Sequence, residues 1–305
     1  MAMIKHDLPD QLGWDGSTQE ERVYRNAVDR VRLAYASAGG APLYVAFSGG
    51  KDSTALWGIV CEAAKLDGVP IEQYAQRHYN MTGIDPPEVV YHMRDNCPDL
   101  IWHMPPQSIW RLIVRKGPPT RIHRWCCADL KERGGRGCMC LTGVRWAESQ
   151  RRSETRHAYE VVAKRKQDRV LLNDNDEARR YFEHCVPKGK RICNPIVDWT
   201  EDNVWRYIYD RGLPYCTLYD EGVDRIGCIG CPMAGDRRWD QFDRWPKFDR
   251  LYIRAFDRMI EAKRDAGKTV DWETGQDVYD WWMDNRNLDK PLPGQIHWED
   301  VEDER

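Results

Sequence analysis

Leu43-Tyr-Val-Ala-Phe-Ser-Gly-Gly-Lys-Asp-Ser53 is the stretch that decides how this chain reads. Leu43–Phe47 is short and almost wholly apolar, as expected of a central parallel strand buried on both faces. Helical periodicity then runs from about Asp52 to Lys65 and stops near Gly68. Between the two stand Gly49 and Gly50, which let the backbone approach an anion closely. The helix that follows presents free N–H groups and a positive dipole end. Lys51 adds a point charge, and Ser48 and Ser53 add hydroxyl donors. The loop is not the longer Walker pattern, which places a second glycine just before its lysine. Strand, glycine turn and helix in this order predict a phosphate cradle at Ser48–Ser53.

Outward from this loop, strand and helix signals alternate. Glu20–Ala38 carries a sparse apolar stripe (Val23, Ala27, Val31, Ala34) that predicts a helix lying on the domain, closed by Gly39-Gly40. Ile71–Tyr79 is a second strand candidate, Pro86–Asn96 a helix, and Leu100–Met104 and Cys138–Val144 further strands. The alternation implies right-handed βαβ units and an α/β, Rossmann-like, doubly wound and mostly parallel sheet. Beyond Pro195 the pattern turns helical. Thr200 is an N-cap candidate, with Glu201 and Asp202 in the first turn of a helix to about Arg211. Leu251, Ala255, Phe256, Met259 and Ile260 keep helical spacing in a long C-terminal helix. The expected organisation is a helical leader over 1–40, a nucleotide-binding domain over 41–235, and a helical extension with an acidic tail over 236–305. Trp272, Trp281, Trp282 and Trp298 in that extension read as helix packing.

The chain has 305 residues, 41% of them apolar and 31% charged, a globular balance. No apolar run approaches the roughly 20 residues that span a bilayer, and the first residues lack a secretory pattern, so a cytoplasmic protein with no membrane segment is expected. Net charge is −3, but Arg111–Arg191 holds 21 Lys/Arg against 10 Asp/Glu, an excess of +11 that leaves −14 elsewhere. A basic middle on an acidic frame suits a polyanionic partner, either nucleotide phosphates or nucleic acid.

In a reducing compartment the 11 cysteines are not a disulfide framework. Cys126-Cys127 and Cys228-x-x-Cys231 arrive as two close pairs of soft ligands, which suits a zinc ion, an iron–sulfur cluster, or two pairs of reduced thiols. Adjacent cysteines diverge and chelate one zinc poorly, whereas each can bind a different iron of a cubane. Arg121, Arg124 and Lys131 would offset a cluster's negative charge. Cys138 and Cys140 are expected on one face of a strand as buried thiols, and Cys61, Cys97, Cys185, Cys193 and Cys216 as ordinary thiols. His78, His103 and His123 are isolated in the sequence.

Ser48-Gly-Gly-Lys-Asp-Ser53 after an apolar strand resembles the signature of the PP-loop ATP pyrophosphatases, with an adenine nucleotide alpha hydrolase-like fold. Thr82-Gly-Ile-Asp-Pro-Pro-Glu88, Leu141-Thr-Gly-Val-Arg-Trp-Ala-Glu-Ser149 with Arg151-Arg152, Asn194-Pro-Ile-Val-Asp-Trp-Thr200, and Leu218-Tyr-Asp-Glu-Gly222 through Cys228 are similar, in the same order, to motifs of phosphoadenosine phosphosulfate (PAPS) reductases. The resemblance implies that Ser48, Gly49, Gly50, Lys51, Asp52 and Ser53 contact ATP phosphates or Mg²⁺, with Lys51 and Asp52 catalytic, and that Thr82, Gly83, Gly143, Arg145 and Arg152 lie along the nucleotide. It also implies a [4Fe–4S] cluster on Cys126, Cys127, Cys228 and Cys231.

Two departures from the reductases stand out. Reductases carry a nucleophilic tail cysteine, but no cysteine follows Cys231 here and the end reads Gly294-Gln-Ile-His-Trp-Glu-Asp300. Reductases also degrade the PP-loop, which is intact in this chain. Both point to the sulfurtransferase and mobile-element (phage, plasmid, CRISPR-associated) branch. The expected function is cleavage of ATP to AMP and pyrophosphate to activate an acceptor, such as nucleic acid receiving sulfur from a donor like a cysteine desulfurase. The rival expectations are a PAPS reductase using Cys138, Cys140 or a partner's thiol, and a non-catalytic ATP-binding subunit of a nucleoprotein complex. A homodimer is compatible with each.

Overall fold

The computed structural model describes residues 19–162, 170–172 and 190–288. Among the described residues, seven strands form one sheet in the order β3-β2-β1-β4-β7-β5-β6. They are β1 (Leu43–Ala46), β2 (Ala75–Asn80), β3 (Ile101–His103), β4 (Met139–Leu141), β5 (Tyr159–Val162), β6 (Val170–Leu172) and β7 (Lys190–Cys193). β1 pairs in parallel with β2 and β4, and β4 in parallel with β7, whereas β5 runs antiparallel to both β7 and β6. The α/β class and parallel heart of the sheet are those expected from the alternating signals. Leu43 and Val45 are fully buried, as the continuous apolar run requires.

Residues group by packing into two compact units. The first takes the described residues up to 79, 87–103 and 135–225. It contains the sheet and the helices α1 (Gln19–Ser37), α2 (Lys51–Leu66), α3 (Ile71–Tyr74), α4 (Pro87–Asn96), α6 (Gln150–Thr155) and α7 (Glu201–Asp210). α1 buries Ala27, Val31 and Ala34, the stripe read from the sequence, in a core shared with Leu56, Ile59 and Val60 of α2. Thr200 caps α7 as expected, its hydroxyl accepting the Asn203 N–H at 3.1 Å.

The second unit takes 80–86, 104–134 and the described residues from 226 onward. Its helices are α5 (Ile109–Lys116), α8 (Arg237–Arg244), α9 (Pro246–Asp265) and α10 (Gly275–Met283). Where the sequence suggests a boundary near 235, two earlier segments therefore pack with the C-terminal helices. The reason is visible in the apolar faces: Leu112 and Ile113 of α5 share a core with Phe256, Met259 and Trp282. Trp282 is fully buried and Trp281 meets Trp272 edge-on at 5.5 Å, in keeping with helix packing, while Trp298 lies outside the described residues.

Three sequence expectations are corrected. Ile71–Tyr79 is not one strand: Pro70, at φ −55°, sets up a helical turn at Ile71–Tyr74 before β2 begins at Ala75. Cys138 and Cys140 do not share a buried face, because β4 starts only at Met139, leaving Cys138 exposed and Cys140 buried. His78 and His103 are not isolated. They sit on the neighbouring strands β2 and β3, with His78 Nδ1 and His103 Nε2 2.9 Å apart and Tyr44 stacked on His78 at 3.9 Å. Burial, then repulsion by His103, lowers the His78 pKa to about 4.

Gly58 lets α2 and α7 approach closely: a Cβ there would fall 2.7 Å from the Tyr207 ring and 2.8 Å from Leu213. Alanine would favour the helix by about 1 kcal/mol, but overpacking costs about 1–3 kcal/mol. Gly58→Ala is therefore expected to lower the melting temperature, and a raised one would contradict this packing. For the histidine pair, unfolding lets His78 take up a proton it refuses in the fold, because its folded pKa lies below the ordinary value of about 6.5. The share of stability that His78 contributes is thus full above about pH 6.5 and falls as pH drops towards about 4. Denaturant titrations across this range should show the loss in the parent chain and much less of it in His78→Gln.

Candidate functional site

β1 delivers the chain into a tight turn at Ser48–Gly50, and α2 begins at Lys51. Gly49 has φ +72°, and a Cβ on it would press within 2.9 Å of Met93 and Val89. The Ser53 hydroxyl closes the loop, donating to the Gly50 carbonyl at 2.8 Å and accepting the Ser48 N–H at 3.2 Å. The Ser48 hydroxyl lies 3.3 Å from that of Ser53. Gly50 is the N-cap and supplies no side chain, so the first-turn amides of α2 are left to an outside acceptor. One is engaged: the Lys51 N–H donates to the Tyr219 hydroxyl at 3.0 Å. The cradle therefore already holds an oxygen at its mouth.

Lys51 is 4% exposed. Its Nζ lies 3.2 Å from Glu201 Oε1, 3.6 Å from Asp52 Oδ2 and 3.5 Å from the Asp224 carbonyl, and over the Tyr219 ring. Asp52 is held from its other oxygen by Arg145 Nε at 2.7 Å, and Arg145 Nη2 reaches Glu201 Oε2 at 2.7 Å. Arg145, 2% exposed, also donates to the Trp199 carbonyl at 3.3 Å. Two cations and two carboxylates thus form one network across the start of α2 and the start of α7.

The two carboxylates respond differently. Burial pushes the Asp52 carboxyl up, against the pull of Arg145 and Lys51. Burial works the same way on Glu201, yet the Arg145 hydrogen bond and Lys51 outweigh it and hold the carboxyl below its usual range. The difference is solvation: Glu201 keeps a half-exposed side chain, while that of Asp52 is largely buried. Asp52 is the carboxylate with unmet demand for positive charge.

The remaining expected nucleotide residues divide between the units. Gly143 belongs to this network: a Cβ there would meet the Asp52 carbonyl at 3.0 Å, so glycine lets β4's end abut α2. Arg152, on α6, pairs with Glu148, which Arg225 also approaches at 3.6 Å. Thr82 and Gly83 lie in the second unit, where the Thr82 N–H donates to Asp85 at 2.8 Å and the Thr82 hydroxyl accepts from Cys228 Sγ at 3.7 Å. Glu201, Tyr219 and Asp224 are site residues that the sequence did not single out. Glu201 reads as a helix-start charge, and Tyr219 stands inside the Leu218–Gly222 motif, a signal available but unused.

The second unit gathers Cys126, Cys127, Cys228 and Cys231. Cys126 immediately precedes a π-helical turn at Cys127–Lys131. The Cys126 thiol is pushed far up by its hydrogen bond with Cys127, then by burial, then by the charges of Cys127, Cys228 and Cys231, so the other three sulfurs each bear on that of Cys126. Cys127 is pulled well below the usual thiol range by Cys126 and by Arg124, whose Nη2 lies 3.5 Å from its sulfur. Lys131 is driven up first by Cys228. Four soft donors with a lysine and an arginine against them fit the charge of an iron–sulfur cluster. Among the described residues, no three His, Cys, Asp or Glu side chains are already drawn together as a metal site.

The chain is 26% identical over 243 residues to an uncharacterised protein of Methanocaldococcus jannaschii, covering 74% of this chain and 44% of the relative. An adenosine 5'-phosphosulfate reductase of Staphylococcus haemolyticus is 41% identical over 64 residues, 21% of this chain and 26% of that one. The chain thus spans less than half the length of these relatives. Among solved structures, the U34-tRNA thiolase NcsA of Methanococcus maripaludis with its [4Fe–4S] cluster aligns over 82% of each chain at 13% identity and a TM-score of 0.42. Residues 42–234, from the strand before the loop to just beyond Cys231, match the phosphoadenosine phosphosulfate reductase domain model, and the chain belongs to that family.

Proposed function

We propose that the chain binds ATP with Mg²⁺ at Ser48–Ser53 and cleaves it between the α and β phosphates, releasing pyrophosphate and placing AMP on an acceptor. The observation that carries this reading is the buried network at the start of α2, where Lys51 and Asp52 stand beside first-turn amides that need an anion. The amides and Lys51 would take the β,γ-pyrophosphate oxygens. Asp52, largely buried and not fully compensated by Arg145, would hold the magnesium ion. Magnesium would supply charge neutralisation on the leaving pyrophosphate. Arg145 is the positioning residue, fixing Asp52 and Glu201 at once. An acceptor oxygen attacks the α phosphorus, the bond to the bridging oxygen breaks, and the acceptor's proton leaves to solvent or a nearby base. Tyr219 must yield its hydrogen bond with the Lys51 amide when phosphate enters.

Cys126, Cys127, Cys228 and Cys231 are proposed to hold a [4Fe–4S] cluster, which would supply a position for carrying sulfur once one of the four thiolates leaves its iron. Arg124 and Lys131 would then balance its charge. With a sulfur donor such as a cysteine desulfurase, adenylation and thiolation would together make a sulfurtransferase. The acceptor on this reading is a nucleic acid, favoured by the +11 excess over Arg111–Arg191.

Incubation with ATP and Mg²⁺, with and without RNA or DNA, should yield AMP and pyrophosphate. ADP and phosphate as the only products would reject the assignment. Lys51→Ala should lower AMP formation by about 10²–10³-fold, the usual cost of one lost transition-state charge contact, and an unchanged rate would remove Lys51 from the chemistry. Chain purified without oxygen should carry about four irons, the content of one such cluster, with the broad visible absorbance of thiolate-bound iron. Cys228→Ser should lose both, and iron-free protein that still forms AMP would separate the cluster from the ATP chemistry.

A further inference from the structure

The second unit carries a cationic groove that takes no part in the phosphate loop or the cysteine cluster. It runs between α5 and α9 with a volume of about 410 Å³. Arg111 of α5 and Arg254 and Arg258 of α9 line it, together with the apolar Trp110, Val114 and Leu251. The arginines continue beyond it. Arg250, Arg254 and Arg258 recur every four residues, which places them in one row on α9, and Arg111 and Arg115 are similarly spaced on α5. All five are exposed, and among the described residues none has its guanidinium in an ion pair or hydrogen bond. That is unusual company for this chain, in which Arg30, Arg77, Arg145 and Arg211 all hold carboxylates. Asp257, beside Arg258 in sequence, is engaged by the Gly275 N–H at 2.5 Å.

Five free guanidinium groups in two adjacent rows repel one another and gain nothing for the fold. They gain a great deal from a polyanion. The row from Arg250 to Arg258 covers about 12 Å at 1.5 Å per residue, which matches three to four nucleotides of one strand at about 3.4 Å of axis each. Trp110 adds what a plain charged surface lacks. It is half-buried, its ring held edge-on against Tyr252 at 5.2 Å, and it opens into the groove beside the arginines. A fixed aromatic ring beside a cationic row is the pairing that grips single strands, with bases stacking while phosphates meet the charges. An acidic protein segment would use the arginines but leave the ring idle.

We propose that the α5–α9 groove binds single-stranded nucleic acid, with Arg111, Arg254 and Arg258 on phosphates and Trp110 stacked on a base. This deepens the acceptor reading above and rests on it for its purpose, though not for its test. Binding of fluorescent single-stranded RNA and DNA oligonucleotides to the full chain is measured by anisotropy between about 50 and 200 mM salt. The Arg111→Ala, Arg254→Ala, Arg258→Ala triple variant should bind at least tenfold more weakly, with a salt slope reduced by about 2, or about 0.7 per lost phosphate contact. Trp110→Leu should lose about tenfold in affinity with the salt slope unchanged. Thermal unfolding of each variant serves as the folding control, since the arginines are exposed. RNA and DNA are compared directly; tighter binding of either supports the proposal. Unchanged affinity in the triple variant would overturn it, as would displacement of the strand by polyglutamate at equal charge, which marks an acidic protein site. A chain that forms AMP but binds no strand keeps the ATP reading and loses this one; a chain that binds the strand and forms no AMP does the reverse.

Discussion

One guanidinium group organises the first unit. Arg145, four residues beyond the end of β4, enters the interior and binds Asp52 at the start of α2 and Glu201 at the start of α7, while also bonding the carbonyl of the fully buried Trp199. Taking a charge out of water is costly, and removing the partner of a buried charge commonly costs about 3–5 kcal/mol, less where the partner is half-exposed as Glu201 is. The arrangement is therefore a poor way to gain stability and a good way to fix geometry. It ties the ends of three elements to one point, and that point is where α2 presents its amides.

Close backbone packing serves the same point. Gly143 abuts the Asp52 carbonyl, Gly49 turns tightly against Met93 and Val89, and Gly50 leaves room for the Tyr219 hydroxyl at the Lys51 amide. Larger side chains at these positions would push the loop away from its neighbours rather than merely crowd it. The cysteine unit follows a different logic, with a dense aromatic core around Trp282 and Tyr252 and four thiols balanced by Arg124 and Lys131.

How much of this was legible in the sequence depended on contiguity. Leu43 to Leu66 could be read directly, since strand, glycine turn and helix are consecutive and each carries its own period. The Arg145–Asp52 and Arg145–Glu201 pairs could not, since 93 and 56 residues separate the partners. The same holds for His78 and His103, which only strand pairing brings within hydrogen-bond distance. Ile71–Tyr79 misled because its apolar and aromatic content outweighed the helix-starting effect of Pro70. The separation of 80–86 and 104–134 from the sheet unit was hidden as well: those segments join the C-terminal helices through apolar faces that a linear reading cannot pair.

The central claim is that the first turn of α2, with Lys51 and Asp52, grips the outer phosphates of a nucleotide. Calorimetric titration with ATP, AMP and inorganic pyrophosphate, each with Mg²⁺, tests it most directly. The account predicts that pyrophosphate binds and competes with ATP while AMP alone binds far more weakly. AMP binding as tightly as ATP, with no heat from pyrophosphate, would contradict it.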